Sequence, residues 1–159
     1  MDGLLSLLEK NARLTTEQMA AMLGSTKEQV EAQIEQYQKD GVILGYKALI
    51  DWEKTDRDLC IARIELKVTP KSGMGFDEIA HRIAQFEEVE TLYLMSGGYD
   101  LALTVSSTSF KDVAMFVARR LAPLDSVEST STHFVLRKYK ERGVTVYGDE
   151  GDGREVTSL

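Results

Sequence analysis

The sequence predicts an α+β protein in two parts, an N-terminal lobe of three short helices and a larger unit that alternates strands and helices. Three observations predict it. Apolar residues in the first 45 positions recur at helical spacing between capping signals. From Leu59 to Thr69 they alternate instead. After that strand, helical and alternating segments complete the order β-α-β-β-α-β.

The helices follow from their stripes and their ends. In "GLLSLLEKNA", Leu4, Leu5, Leu7 and Leu8 gather on one face. "TTEQMAAMLG" opens with Thr15 and, three residues on, Gln18, the spacing at which a hydroxyl and an amide cap each other's backbone N–H. Met19, Ala20, Met22 and Leu23 are its apolar positions, and Gly24 ends it. Thr26 and Gln29 repeat the capping spacing. Val30, Ile34 and Tyr37 then recur at i, i+4 and i+7, and Gly41 stops the third helix. A leading helix followed by two short ones makes residues 1–45 a helix-turn-helix candidate; a plain three-helix lobe fits the same spacing.

Residues 42–51, "VILGYKALID", alternate like a strand, with Val42, Leu44, Tyr46 and Ala48 on one side. The charged residues 52–58 read as linker, so 46–58 join the two parts as linking strand and linker. The strand over 59–69 puts Cys60, Ala62, Ile64, Leu66 and Val68 on one face, and Arg63, Glu65 and Lys67 on the other. "PKSGMG" (70–75) is a turn. Phe76, Ile79, Ala80, Ile83 and Phe86 stripe a helix over 76–86. Strands at 89–95 and 99–106 flank "SGG" as a tight hairpin. A second amphipathic helix spans 109–124 and a last strand 127–140. Residues 59–140 thus predict a ferredoxin-like domain, one antiparallel sheet covered on one face by two helices. Its other face needs a partner if it is apolar, which predicts an oligomer. Residues 141–159 form an acidic, glycine-rich tail that cannot fold alone.

The 159-residue chain carries a net charge of −7, which excludes global electrostatic steering toward nucleic acid. Residues 1–45 hold four basic and seven acidic side chains, so the helical lobe is no less acidic than the rest. On the third helix Lys27 and Lys39 stand among Glu28, Glu31, Glu35 and Asp40. Any phosphate neutralisation must come from a local patch or from joining several copies. Cys60 is the single cysteine, which excludes an intrachain disulfide and reads as a buried small hydrophobe in a reducing compartment. No basic leader and no run of about 18 apolar residues is present, so the expected location is cytoplasmic, with no membrane partner. His81 and His133 lack companions at metal-ligand spacing. With no phosphate loop, nucleophile elbow or dinucleotide fingerprint either, we expect no enzyme, catalytic residue, metal or cofactor.

Gly97 and Gly98 suit a two-residue turn needing positive φ, and their bare N–H groups can also receive a ligand carboxylate. Asp100 can accept a ligand ammonium or bond to nearby backbone. In "ESTSTH", Ser129 and Ser131 fall on one strand face, Thr130 and Thr132 on the other.

Three stretches together resemble the Lrp/AsnC family of feast/famine transcription regulators. "LGSTKEQVEAQIEQYQKDGVILGYKALID" is similar to the family's turn, recognition helix, exit and linking strand. "LMSGGYDLAL" is similar to its Gly-containing hairpin, and "VESTSTHFVLRKYK" to its final strand. The resemblance covers residues 1–140. It implies a lobe that binds double-stranded operator DNA and a C-terminal domain that binds a small-molecule effector, usually an amino acid. It also implies a dimer that assembles further into tetramers or octamers.

By that resemblance the DNA contacts fall on Lys27, Glu28, Gln29, Gln33, Gln36 and Lys47. Gln can pair with adenine and Glu can accept from cytosine. The effector contacts fall on Gly97, Gly98, Tyr99, Asp100, Thr130 and Thr132. The recognition helix departs from the family in lacking arginines. An alternative reading is therefore an oligomeric sensor of the same family whose DNA binding is weak or lost. Some haem-pathway decarboxylases share the architecture, but need a basic, His-containing pocket that this composition does not offer.

Overall fold

The computed structural model describes residues 3–70 and 75–146; the turn expected at 70–75 lies mostly outside them, as does the tail beyond 146. Contacts divide the chain into two compact units, Met1–Ile50 and Asp51–Leu159.

The first unit contains α1 (Gly3–Lys10), α2 (Thr16–Leu23) and α3 (Lys27–Lys39). Both capping boxes form. Gln18 N–H donates to Thr15 Oγ1 at 3.2 Å while Thr15 N–H donates to Gln18 Oε1 at 2.9 Å. Gln29 and Thr26 do the same at 3.3 and 3.0 Å. Gly24 ends α2 at φ 64° and Gly41 follows α3 at φ 70°. Around Gly41, the N–H of Gly41 reaches the Gln38 carbonyl and that of Val42 reaches Tyr37, which satisfies carbonyls the helix end would leave orphaned. Leu4, Leu8, Met19, Ala20 and Val30 make the core, with Ile34 and Tyr37 packed on it. Met22 and Leu23, expected on that stripe, are exposed; Leu23 lies over Gly3, where any Cβ would meet its Cδ2 at 2.9 Å.

The expected linking strand is not formed. Residues 43–50 carry no ladder, and Val42 and Ile43 bond back to Tyr37 instead. A strand exists through its neighbour, and no described segment of the same chain supplies one. Leu44 is left 94% exposed, and Val42, Tyr46, Leu49 and Ile50 are exposed with it.

The second unit holds β1 (Cys60–Val68), α4 (Phe76–Ala84), β2 (Val89–Leu94), β3 (Leu101–Ser107), α5 (Phe110–Phe116) and β4 (Val127–Phe134). The sheet order is β2-β3-β1-β4 with every pairing antiparallel, the ferredoxin-like arrangement. Strict alternation sends Ala62, Ile64, Leu66 and Val68 of β1, with Leu101, Leu103 and Val105 of β3, to one face. There they pack with Ile79, Ile83, Val113, Phe116 and Leu121.

The opposite face carries Arg63, Glu65, Lys67, Thr104, Ser129, Ser131 and His133, with Ile61, Ala102 and the exposed Tyr93 among them. It is mixed rather than continuously apolar.

Two expected elements are shorter than their sequence pattern. The helix over 109–124 keeps α-helical bonding only to Phe116. Val117–Leu121 widens into a π turn, in which Ala122 N–H bonds to Val117. The last strand ends at Phe134, and the chain leaves the sheet after Val135, whose N–H still donates to the Ile61 carbonyl. The chain then makes a separate small hairpin from β5 (Lys140–Glu141) and β6 (Val144–Thr145).

Candidate functional site

On α3 the inward residues are Val30, Ile34 and Tyr37, and Val30 is 2% exposed. The helix therefore presents Lys27, Glu28, Gln29, Gln33 and Gln36 to solvent, as expected of a reading helix. Four of the five have intramolecular partners. The Glu28 carboxylate accepts from its own N–H and from the Thr26 hydroxyl, which holds it below its ordinary range. Gln29 is the capping amide, and Gln36 Nε2 donates to Asp40 Oδ1 at 2.8 Å. Lys27 Nζ lies 2.6 Å from Glu17 on α2 and 3.7 Å from Glu31 one turn along α3. Glu31 also accepts from Thr16 Oγ1. Lys47 sits on the exposed segment 43–50.

The Lys27 ammonium holds the Glu17 carboxyl at about 2, and Glu17 in turn raises Lys27. The lowered acid keeps its contribution above the ordinary carboxylate range and loses it only as pH falls toward about 2. The raised base loses its contribution only as pH climbs past the ordinary lysine value. The clamp is thus closed across neutral pH. It holds α2 to α3 and occupies the cation nearest the start of the reading helix. The double variant Glu17→Gln, Glu31→Gln should free Lys27 for one phosphate, tighten duplex binding and steepen the salt slope by about 0.9. A salt titration of wild type against the double variant checks this; an unchanged slope would mean that Lys27 meets no phosphate.

The predicted effector residues divide into two groups. Residues 95–100 join β2 to β3 as a loop closed by Met95 N–H on the Asp100 carbonyl at 2.8 Å. The loop is longer than the expected two-residue turn, because β3 starts at Leu101 rather than Tyr99. Only Gly97 has positive φ, at 132°. At Gly98 an added Cβ would meet nothing within 4 Å, so no steric demand fixes glycine there. Both glycines are exposed, whereas Tyr99 and Asp100 are half-buried.

Asp100 anchors the loop to β1. Its N–H donates to the Leu66 carbonyl, its Oδ2 accepts from Val68 N–H at 2.9 Å, and Lys67 Nζ lies 3.3 Å from Oδ1. It does so beside the register shift between Lys67 and Val68, where the β1–β4 ladder is irregular. The second group, Thr130 and Thr132, stands opposite Leu66 and Ile64 on β4. Register places both threonines on the helix-covered face, one strand beyond β1 from the loop. The structure thus brings Asp100 and Thr130 to flank Leu66–Val68, while Gly97 and Gly98 stand off at the loop tip.

The bond from Val68 N–H, and then Lys67, hold the Asp100 carboxyl below its ordinary range. A depressed carboxylate adds stability above the unfolded value, about 3.9, and loses it as pH falls through the folded one. Asp100→Asn should therefore lower Tm by about 4–8 °C at pH 7, and the gap to wild type should narrow below about pH 4. Melting curves from pH 3 to 7 check it; a gap constant with pH would contradict the anchor.

Sequence reasoning missed a cleft of about 240 Å³ at the far end of β3, lined by Glu88, Ser106, Asp112, Phe116 and Arg119 among others. Arg120, which also lines it, pairs with Glu88 at 3.2 Å and lies over the Phe86 ring at 4.4 Å. None of the predicted effector residues lines this cleft. Among the described residues, no group of His, Cys, Asp or Glu is placed to hold a metal, and no helix is long and apolar enough to cross a membrane.

Comparison with known proteins bears on the fold and the family. The family model described as the Lrp/AsnC ligand binding domain matches residues 61–145. The HTH-type transcriptional regulator YugG of Bacillus subtilis (strain 168) is 46% identical over 156 residues, covering 98% of this chain and 94% of its own. The fold matches the crystal structure of the leucine response regulatory protein of Mycobacterium tuberculosis with a TM-score of 0.75 at 21% identity. That match covers 91% of this chain and 96% of the other. A transcriptional regulator from Neisseria meningitidis, solved in complex with L-Met, matches with a TM-score of 0.70 at 22% identity, covering 87% and 89%. With a family domain spanning more than half its length and a near full-length relative, the chain belongs to the Lrp/AsnC family.

Proposed function

We propose that the protein is an amino-acid-responsive transcriptional regulator that binds operator DNA through residues 1–45 and its effector through residues 59–140, as a homo-oligomer. The carrying observation is the match of a ligand-binding domain to residues 61–145, in a chain whose first unit is an intact, doubly capped helix-turn-helix. The name of the Bacillus relative supports DNA-linked regulation, and the L-Met complex of the Neisseria regulator supports an amino acid as effector. The exposed, ladder-free run from Val42 to Ile50 supports assembly, since a second copy can complete a ladder that one chain cannot. The role is non-enzymatic. Gln33 is the first base-facing candidate, because Gln29, Gln36, Lys27 and Glu28 already have partners.

The effector site is assigned to the 97–100 loop with Thr130 and Thr132. Gly98→Asp tests it, because the position has open space and the fold should tolerate the change. Calorimetry against a pool of amino acids should register binding to wild type and none to Gly98→Asp, at equal Tm. Equal affinity in both would remove the loop from the site. Wild type that binds none of the pool would overturn the amino-acid reading.

A further inference from the structure

The DNA-binding reading leaves a deficit of positive charge. The helical lobe is net negative, and Lys27 is held by two carboxylates. A duplex reader still has to neutralise several phosphates. The most basic stretch of the chain lies elsewhere, in "RKYKER" at 137–142. Four cations there face one acid, in a protein of net charge −7.

The fold makes this stretch a projecting device. After β4, the chain folds into the β5–β6 hairpin, with Lys140 opposite Thr145 and Glu141 opposite Val144. Val146 N–H on the Tyr139 carbonyl, at 3.0 Å, extends the pairing. Its two-residue loop is Arg142-Gly143, with φ of 45° and 86°. Both values are positive, as a tight hairpin turn of the matching twist requires. Arg142 is the one non-glycine residue with positive φ among those described. Asn, Asp or Gly would hold that position with less strain. An arginine kept at a strained tip points to use of its guanidinium. Lys138 lies 3.8 Å from Glu141, so the single acid is engaged. Lys140 and Arg142 are exposed and pair with no described carboxylate.

We propose that the 137–142 hairpin is a second nucleic-acid contact, in which Lys140 and Arg142 neutralise duplex phosphates that the acidic recognition helix leaves uncompensated. The inference rests on the DNA-binding reading. The contact is to backbone charge, so it carries no base preference.

The test uses the full chain and a labelled duplex from upstream of its own gene. Anisotropy between about 50 and 200 mM salt compares wild type with the double variant Lys140→Ala, Arg142→Ala. Two lost phosphate contacts should flatten the salt slope by about 1.8, so that the ratio of Kd at the two salts shrinks about 12-fold. The control pair Arg82→Ala, Lys111→Ala removes the same charge from exposed positions on α4 and α5 and should leave the slope unchanged. An unchanged slope in the hairpin variant, or an equal change in the control, overturns this inference and leaves the regulator reading standing. Wild type that binds no duplex at the lower salt overturns both.

Discussion

Val30→Asp is expected to abolish duplex binding while the sheet domain stays folded. Val30 is 2% exposed and is the residue through which the reading helix enters the core of Leu4, Leu8, Met19 and Ala20. A carboxylate there has no cation within the cluster and cannot reach solvent without lifting α3. Burying an unpaired charge costs several kcal/mol, comparable with the whole stability of a lobe this small. The strand ladders of the second unit involve none of these residues. Far-UV circular dichroism should lose helix signal and keep strand signal, and amino-acid binding should persist. Duplex binding by a Val30→Asp protein whose first unit has melted would mean that the lobe is not the principal DNA contact.

Leu103→Ala is expected to cost about 3–4 kcal/mol in the second unit. Leu103 sits at the centre of β3, opposite Ile64 on β1 and Leu92 on β2, and is 2% exposed. Both flanking strands fix the backbone, so the neighbours cannot close over the missing atoms and a cavity remains. The effector response should fall with it, because β3 carries the Asp100 anchor at its start. Chemical denaturation gives the measurement. A loss under about 1 kcal/mol would mean that the sheet–helix core is far more plastic than its burial indicates.

Helices, caps and the order of elements along the chain were legible because their signals are local. Thr15 with Gln18 and Thr26 with Gln29 each specify a helix start within four residues, and the 60–68 alternation specifies its own buried face. The rest was hidden by context that a linear reading lacks. Val42–Ile50 has strand alternation, yet a strand needs a neighbour, and alternation cannot say whether the neighbour belongs to the same chain. The 127–140 pattern ran on past the last ladder partner, and residues 141–146 were read as part of the unfolded tail, so the β5–β6 hairpin was split between a strand and the tail. Its turn signal was masked as well, because the residue before Gly143 is Arg142 and not Asn or Asp. The π turn after Phe116 left no trace in the apolar stripe. Asp100 was legible as special, but its bond to Val68 N–H depends on register across 32 residues of chain.

The reading helix keeps the shape of a DNA-binding element and holds its best-placed cation in an internal ion pair. Whether the protein is a DNA-binding regulator is tested most directly by anisotropy of the full chain on a duplex from upstream of its own gene, at about 50 and 200 mM salt, with and without amino acids. The account predicts binding at the lower salt that weakens steeply at the higher, and an affinity that changes when the effector is present. No binding at the lower salt, from protein that still takes up an amino acid, would contradict it.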